Sequence, residues 1–266
     1  MLPGMDKPLV PADVIIQNAE NSWETVIKPR LESLGADCTK IHTINDTGKR
    51  LTLMDERIEA AIRKHNAKYI CLDPVQSYLS DNFSMSRVES VRPALMHLEG
   101  VAARTGSSIL LVGHISKGRG KAQHKGLGSV DMVNAVPSVL LLGRAEDLEP
   151  DERVIAHMKG NFSELGASIK FRLNKTDGFV WLGECDVTPD DIINFNARKA
   201  KEDKSRIEEA AEFLYEILAE GKIPATEAIE LAEEAGISKR TLDRARKSIG
   251  VKAKKADGHW IWVMED

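Results

Sequence analysis

From Asp13 onward the chain alternates between two hydrophobic rhythms. Short apolar runs rich in β-branched residues predict strands at 14–18 (VIIQN), 39–44, 68–72 (KYICL) and 107–113 (SSILLVG). Between them, apolar residues recur every three or four positions and predict helices over 22–34, 55–66 and 86–104. The last of these places Val88, Val91, Leu95, Leu98, Val101 and Ala102 on one face and stops at Thr105-Gly106. Strand, helix, strand in strict succession implies a parallel sheet, since parallel neighbours need a long crossover and a helix is the usual one. The first eleven residues, rich in Pro and Gly, read as a connecting loop, and so does the Gly- and Lys-loaded run GHISKGRGKAQHKGLGS.

The rhythm then changes. Runs at 136–143, 153–158, 167–173 and 178–183, with turn signals at Glu149-Pro150 and Asp177-Gly178, predict successive strands that finish the sheet antiparallel. Residues 188–204 are polar and charge-dense enough for a helical or flexible linker. Helical periodicity returns at 205–220, 224–235 and 238–249, and VKAKK and HWIWVM flank Ala256-Asp257-Gly258 as a hairpin. The expected organisation is a core over 1–187, a linker over 188–204 and a small helix-helix-helix-wing domain over 205–266. A length of 266 residues, 42% of them hydrophobic, suits one sizeable core and one satellite.

A net charge of -4 excludes a chain that coats nucleic acid along its whole length, so any such contact must be local. Cys38, Cys71 and Cys185 are far apart, with no CxxC pair or His cluster, which suggests core packing in a reducing cytosol. No run approaches a membrane span and the N-terminus lacks a secretory pattern, so a cytoplasmic protein with no membrane partner is expected.

Candidate chemistry gathers at strand ends. Asp73 closes the third strand, and the carboxyl ends of a parallel sheet are where α/β proteins bind ligands. Glu20 lies just past the end of the first strand, and His114 and Lys117 just past the fourth. Each has a plainer reading: Asp73 as an acid opening a turn before Pro74, Glu20 as an acid in a helix's first turn. Together they suggest one crevice.

These residues resemble the RecA-like ATPases found as RepA-type plasmid replicative helicases and in ATPases associated with phage and plasmid primases. The resemblance runs through NAENSWETVIKPRLESLGAD, YICLDPVQSYL, LLVGHISK, GSVDMVNAVPSVLLLGR and VIAHMKGNFSE. It implies a RecA-like, mostly parallel sheet with helices on both faces. It also implies Glu20 as catalytic glutamate, Asp73 as the acid holding Mg2+ through water, and His114 as the phosphate-sensing group. Lys159 resembles the basic residue that such proteins extend to a neighbouring subunit's nucleotide, with Arg144 as a second; a solvated strand-end lysine is the alternative. For the complete family form the resemblance implies ATP and Mg2+ as cofactors, DNA as partner, and a homo-oligomeric ring such as a hexamer, working in plasmid, phage or mobile-element replication. One departure matters most. The phosphate-binding GxxxxGK[ST] loop is absent from the sequence, and GHISKGRGK has the wrong spacing. The chain reads as a core that starts after the family's first strand, loop and helix, and is expected to be catalytically deficient alone.

In the C-terminal segment, SKRTLDRARKSIG puts Lys239, Arg240, Arg244 and Lys247 on one side and Leu242, Ala245 and Ile249 on the other. Lys252, Lys254 and Lys255 continue the basic run, whereas Glu208, Glu209, Glu212, Glu216, Glu230, Glu233 and Glu234 occupy the preceding helices. This segregation predicts a winged helix that meets DNA phosphates through its third helix and wing. Trp260 and Trp262 read as support for the wing. The alternative to an ATPase is a non-enzymatic winged-helix DNA-binding regulator carrying a degenerate core.

Overall fold

The first strand, β1 (Val14–Asn18), lies between β2 (Ile41–His42) and β3 (Tyr69–Asp73), and β4 (Ser108–Leu111) extends the sheet beyond β3. All three pairings in this β2-β1-β3-β4 sheet are parallel. The computed structural model describes residues 10–79, 88–114, 130–219, 221–256 and 258–264; residues 1–9, Lys117 and most of the Gly- and Lys-rich loop lie outside them. Ile15, Ile70 and Leu72 are fully buried at the centre of the sheet, as expected where strands are covered by helices.

The helices follow from local chemistry. Ser22 accepts from the Thr25 amide and starts a π-helical turn, Trp23–Ile27, which continues as α1 (Lys28–Ser33). Asp55 caps α2 (Glu56–His65), whose Ile58 and Ile62, one turn apart, enter the core. In α3 (Val88–Thr105), Val91, Leu95, Leu98 and Val101 of the expected face are buried, joined by Ala94; Ala102 is half-buried, and the Val88 side chain lies outside the described residues. The expected strand at 39–44 is shorter. Asp37 accepts from both the Thr39 amide and its hydroxyl, which bends Cys38–Lys40 into a 3-10 turn and leaves β2 two residues.

After α4 (Val130–Ala135) come β5 (Ser138–Gly143), β6 (Glu152–Gly160), β7 (Ser168–Asn174) and β8 (Gly178–Cys185). These strands are antiparallel as expected, but they form a second sheet, β5-β6-β7-β8, instead of completing the first. Among the described residues β4 pairs only with β3 and β5 only with β6, so no ladder joins the two sheets. Val154, Ala156, Leu141 and Ile192 make a separate small core beneath this sheet.

A long helix, α5 (Pro189–Ile217), begins at a Thr188/Asp191 capping box, in which the Thr188 amide donates to Asp191 and the Asp191 amide to Thr188. It runs through the residues read as a linker, where Arg198–Glu202, Lys199–Glu202 and Lys204–Glu208 pair one turn apart. The chain divides into two compact units, Met1–Asn194 and Phe195–Asp266. The second contains β9 (Ile223–Pro224), α6 (Ala225–Glu234), α7 (Lys239–Ser248), β10 (Lys252–Ala256) and β11 (His259–Val263). Its sheet is antiparallel, β10-β11-β9, and its own core gathers Leu214, Ala228, Leu242, Ala245 and Trp262. No helix among the described residues is long and apolar enough to cross a membrane.

Candidate functional site

Because β1, β3 and β4 are parallel, their carboxyl ends deliver side chains to one edge of the sheet. Asn18 and Asp73 are ladder partners at that edge, and the Asn18 side-chain amide donates to Asp73 Oδ2 at 2.9 Å. The Asn18 side-chain oxygen Oδ1 accepts from the backbone amides of Glu20 (3.0 Å) and Asn21 (2.7 Å), folding the chain into an Asx turn. Glu20 Oε1 in turn lies 3.4 Å from His114 Nε2. Asp73, Glu20 and His114 are thus brought together through Asn18, a residue that the sequence reading passed over. Glu20 and His114 are 51% and 65% exposed at the side chain, so both are free to meet a ligand.

A second amide supports this edge from below. Buried Gln17 donates to the Ile44 carbonyl (3.2 Å) and accepts from the Ile44 amide (3.0 Å), replacing the ladder bonds that a longer β2 would have made. It also reaches Asp46 Oδ2 at 3.5 Å, which brings a third acid towards the edge. Beneath lies Tyr78, buried, with no hydrogen-bond partner for its hydroxyl among the described residues; burial, then Asp46 and Asp73, pushes its pKa up. Burial, with Asp73 second, pushes the Cys71 thiol up to about 11, which makes it unreactive near neutral pH.

Mg2+ prefers oxygen ligands, keeps several waters and is usually held by one or two carboxylates together with substrate phosphates. The edge fits that demand. Asp73 is fixed by Asn18 with its carboxylate accepting, and Glu20, in the turn that Asn18 closes, is exposed to solvent. No group of three or more His, Cys, Asp or Glu among the described residues could hold a metal ion by itself, so phosphate oxygens and water would have to complete the shell.

Lys159 does not project freely. Its ammonium donates to the carbonyls of Val133 (3.1 Å), Asn134 (2.8 Å) and Val136 (2.8 Å), at the C-terminal end of α4. All three protons are used inside the chain, where the helix dipole favours a cation. Arg144 donates to the Leu148 and Glu149 carbonyls and so closes its own turn.

In the second unit, Lys239, Arg240, Arg244 and Lys247 line a shallow concave surface along α7, interrupted by Asp243. Arg244 also approaches Asp203 of α5 at 3.5 Å. Lys252, Lys254 and Lys255 are all exposed on β10, but ladder alternation puts Lys255 on the face opposite Lys252 and Lys254. Arg246, absent from the sequence-based set, turns inward: its guanidinium sits 5.1 Å from the Trp262 ring centre and donates to the Val251 carbonyl.

Parts of the chain are similar to known proteins. The protein family described as an AAA domain matches residues 2–120, the part that carries β1 to β4 and the converging acids. No functionally curated protein matches the sequence significantly. Among solved structures, one described as an ATPase domain aligns with a TM-score of 0.48 and 13% identity, over 65% of this chain and 74% of its own length. A KaiC-like protein from the hyperthermophilic archaeon Pyrococcus horikoshii OT3 aligns with a TM-score of 0.46 and 14% identity, over 64% of this chain and 76% of its own. What is established is a mixed α/β chain whose N-terminal parallel sheet is similar in sequence to AAA domains.

Proposed function

We propose that the first unit is a RecA-like ATPase core of the replicative-helicase kind and that the second is a winged helix that binds DNA. The observation that carries this reading is the convergence of Asp73, Glu20 and His114 on one sheet edge through Asn18. The AAA similarity over the same residues supports it. Asp73 would hold a hydrated Mg2+, which when bound would offset phosphate charge. Glu20, exposed and anchored through its backbone, is suited to orient an attacking water, and His114 to sense the phosphate beside it. The expected setting is a cytoplasmic homo-oligomeric ring acting in plasmid, phage or mobile-element replication, with Lys159 or Arg144 released towards a neighbouring nucleotide.

The sequence contains no Walker A loop, and that loop makes most of the phosphate contacts in such enzymes. Turnover by this chain alone should therefore fall far below the roughly 1 per second at the low end of usual enzyme rates. The test is ATP hydrolysis with Mg2+ and DNA, comparing the chain with Glu20→Gln. Turnover near 1 per second, abolished by the substitution, would show that another segment holds the phosphates. One observation favours a second reading: Lys159 is fully engaged within its own chain, as suits a core that only scaffolds a DNA-binding regulator. On that reading Glu20→Gln and Asp73→Asn would leave every DNA-dependent property unchanged.

A further inference from the structure

Trp260 is 58% exposed, although its neighbour on the same face of β11, Trp262, is buried to 4%. Position along the strand explains the difference, since residues two apart share a face. Trp262 is covered by the domain core and by Arg246, whereas Trp260 lies two residues nearer the hairpin turn, beyond that cover. Its ladder partner, directly opposite on the same face, is Lys255. The hairpin therefore presents an indole face beside an ammonium group, on a domain whose α7 carries a basic stripe.

An exposed tryptophan flanked by lysine suits a ligand that has both a flat π-surface and a phosphate. Nucleic acid provides the two together, but a base inside a continuous duplex has its faces covered by its neighbours. A base becomes available where it is unpaired or at a strand end. We propose that Trp260 stacks on an unpaired DNA base while Lys255 meets the adjoining phosphate and α7 holds the neighbouring duplex, so that this domain recognises a single-strand/double-strand junction. The inference rests on the DNA-binding reading above and adds the class of DNA structure to it.

The test uses the full chain and three labelled probes at low salt: a closed dumbbell duplex without ends, the same duplex carrying a single-stranded tail in either polarity, and oligo(dT). Wild type should bind the tailed duplex more tightly than the dumbbell. Trp260→Ala should cost about 5- to 150-fold in affinity for the tailed duplex, the range for losing one base stack, and leave the dumbbell unaffected. Trp260→Phe, which keeps an aromatic face, should recover most of the loss. Arg240→Ala with Arg244→Ala should weaken binding to all probes. If Trp260→Ala weakens dumbbell and tailed duplex equally, or neither, while the arginine variant weakens both, base stacking is refuted and DNA binding stands. If wild type binds none of the probes, both fall, and Trp260 belongs to a protein contact.

Discussion

Replacing Lys159 with methionine separates two roles for the same side chain. The ammonium makes three hydrogen bonds of 2.8–3.1 Å to carbonyls that close α4, a helix of only six residues. A hydrogen bond to a charged group contributes about 1.5–3 kcal/mol, and a cation at a helix C-terminus about 0.3–1 kcal/mol. Lys159 is only half-buried, so water can take over part of this, and the net loss should be about 2 kcal/mol. For a chain of this size that lowers the melting temperature by roughly 4–8 °C. Lysine to arginine should recover part of the loss, because the charge remains but a planar fork cannot converge on three carbonyls. The assay is thermal unfolding followed by far-UV circular dichroism, with urea unfolding as a check. If Lys159→Met leaves stability within about 0.5 kcal/mol, the capping role is refuted.

Three further outcomes are expected. Arg104, then Arg63, holds the Glu59 carboxyl at about 2, so its contribution to stability is fully present above its ordinary value of 4.5 and is lost as pH falls through about 2; Glu59→Gln should flatten unfolding profiles between those pH values, and an unchanged profile would sink the point. Asn18→Asp would set a second carboxylate 2.9 Å from Asp73, so the variant should be less stable at pH 7 than at pH 4 relative to wild type, and equal loss at both would contradict the contact. Arg240→Ala with Arg244→Ala should make the slope of log affinity for duplex DNA against log salt shallower by about 1.8, at about 0.9 per phosphate contact, whereas Glu208→Ala with Glu212→Ala should not change it.

Much of this architecture was legible because burial on both faces of a sheet writes itself as continuous apolar runs. The strand at 14–18 and the amphipathic faces of α2 and α3 follow directly from such patterns. Strand ends were legible too, which is why Glu20, Asp73 and His114 stand out as candidates. Asn18 and Gln17 were not, since their partners lie 55 and 27 residues away and an amide in a strand looks like polar filler. The stretch at 188–204 reads by composition as a linker either helical or flexible, and the charges that pair at helical spacing go with the helical form. The sheet in which the antiparallel strands would sit was equally hidden, because periodicity specifies faces and says nothing about edges. The bonds that Lys159 makes to the end of α4 were hidden for a related reason: six residues are too few for α4 to announce itself as a helix in need of a cap.

The Asx turn at Asn18 also determines how a mutational scan of this edge would look. Glu20 is tied to the scaffold by its backbone amide, so almost any side chain can stand there without loosening the strand ends. At position 18 the side chain itself is the tie, and it serves both Asp73 and the turn. Intolerance at position 20 would therefore report selection for chemistry alone. Intolerance at position 18 would mix chemistry with folding, and only a comparison of protein abundance with activity for each variant would separate the two.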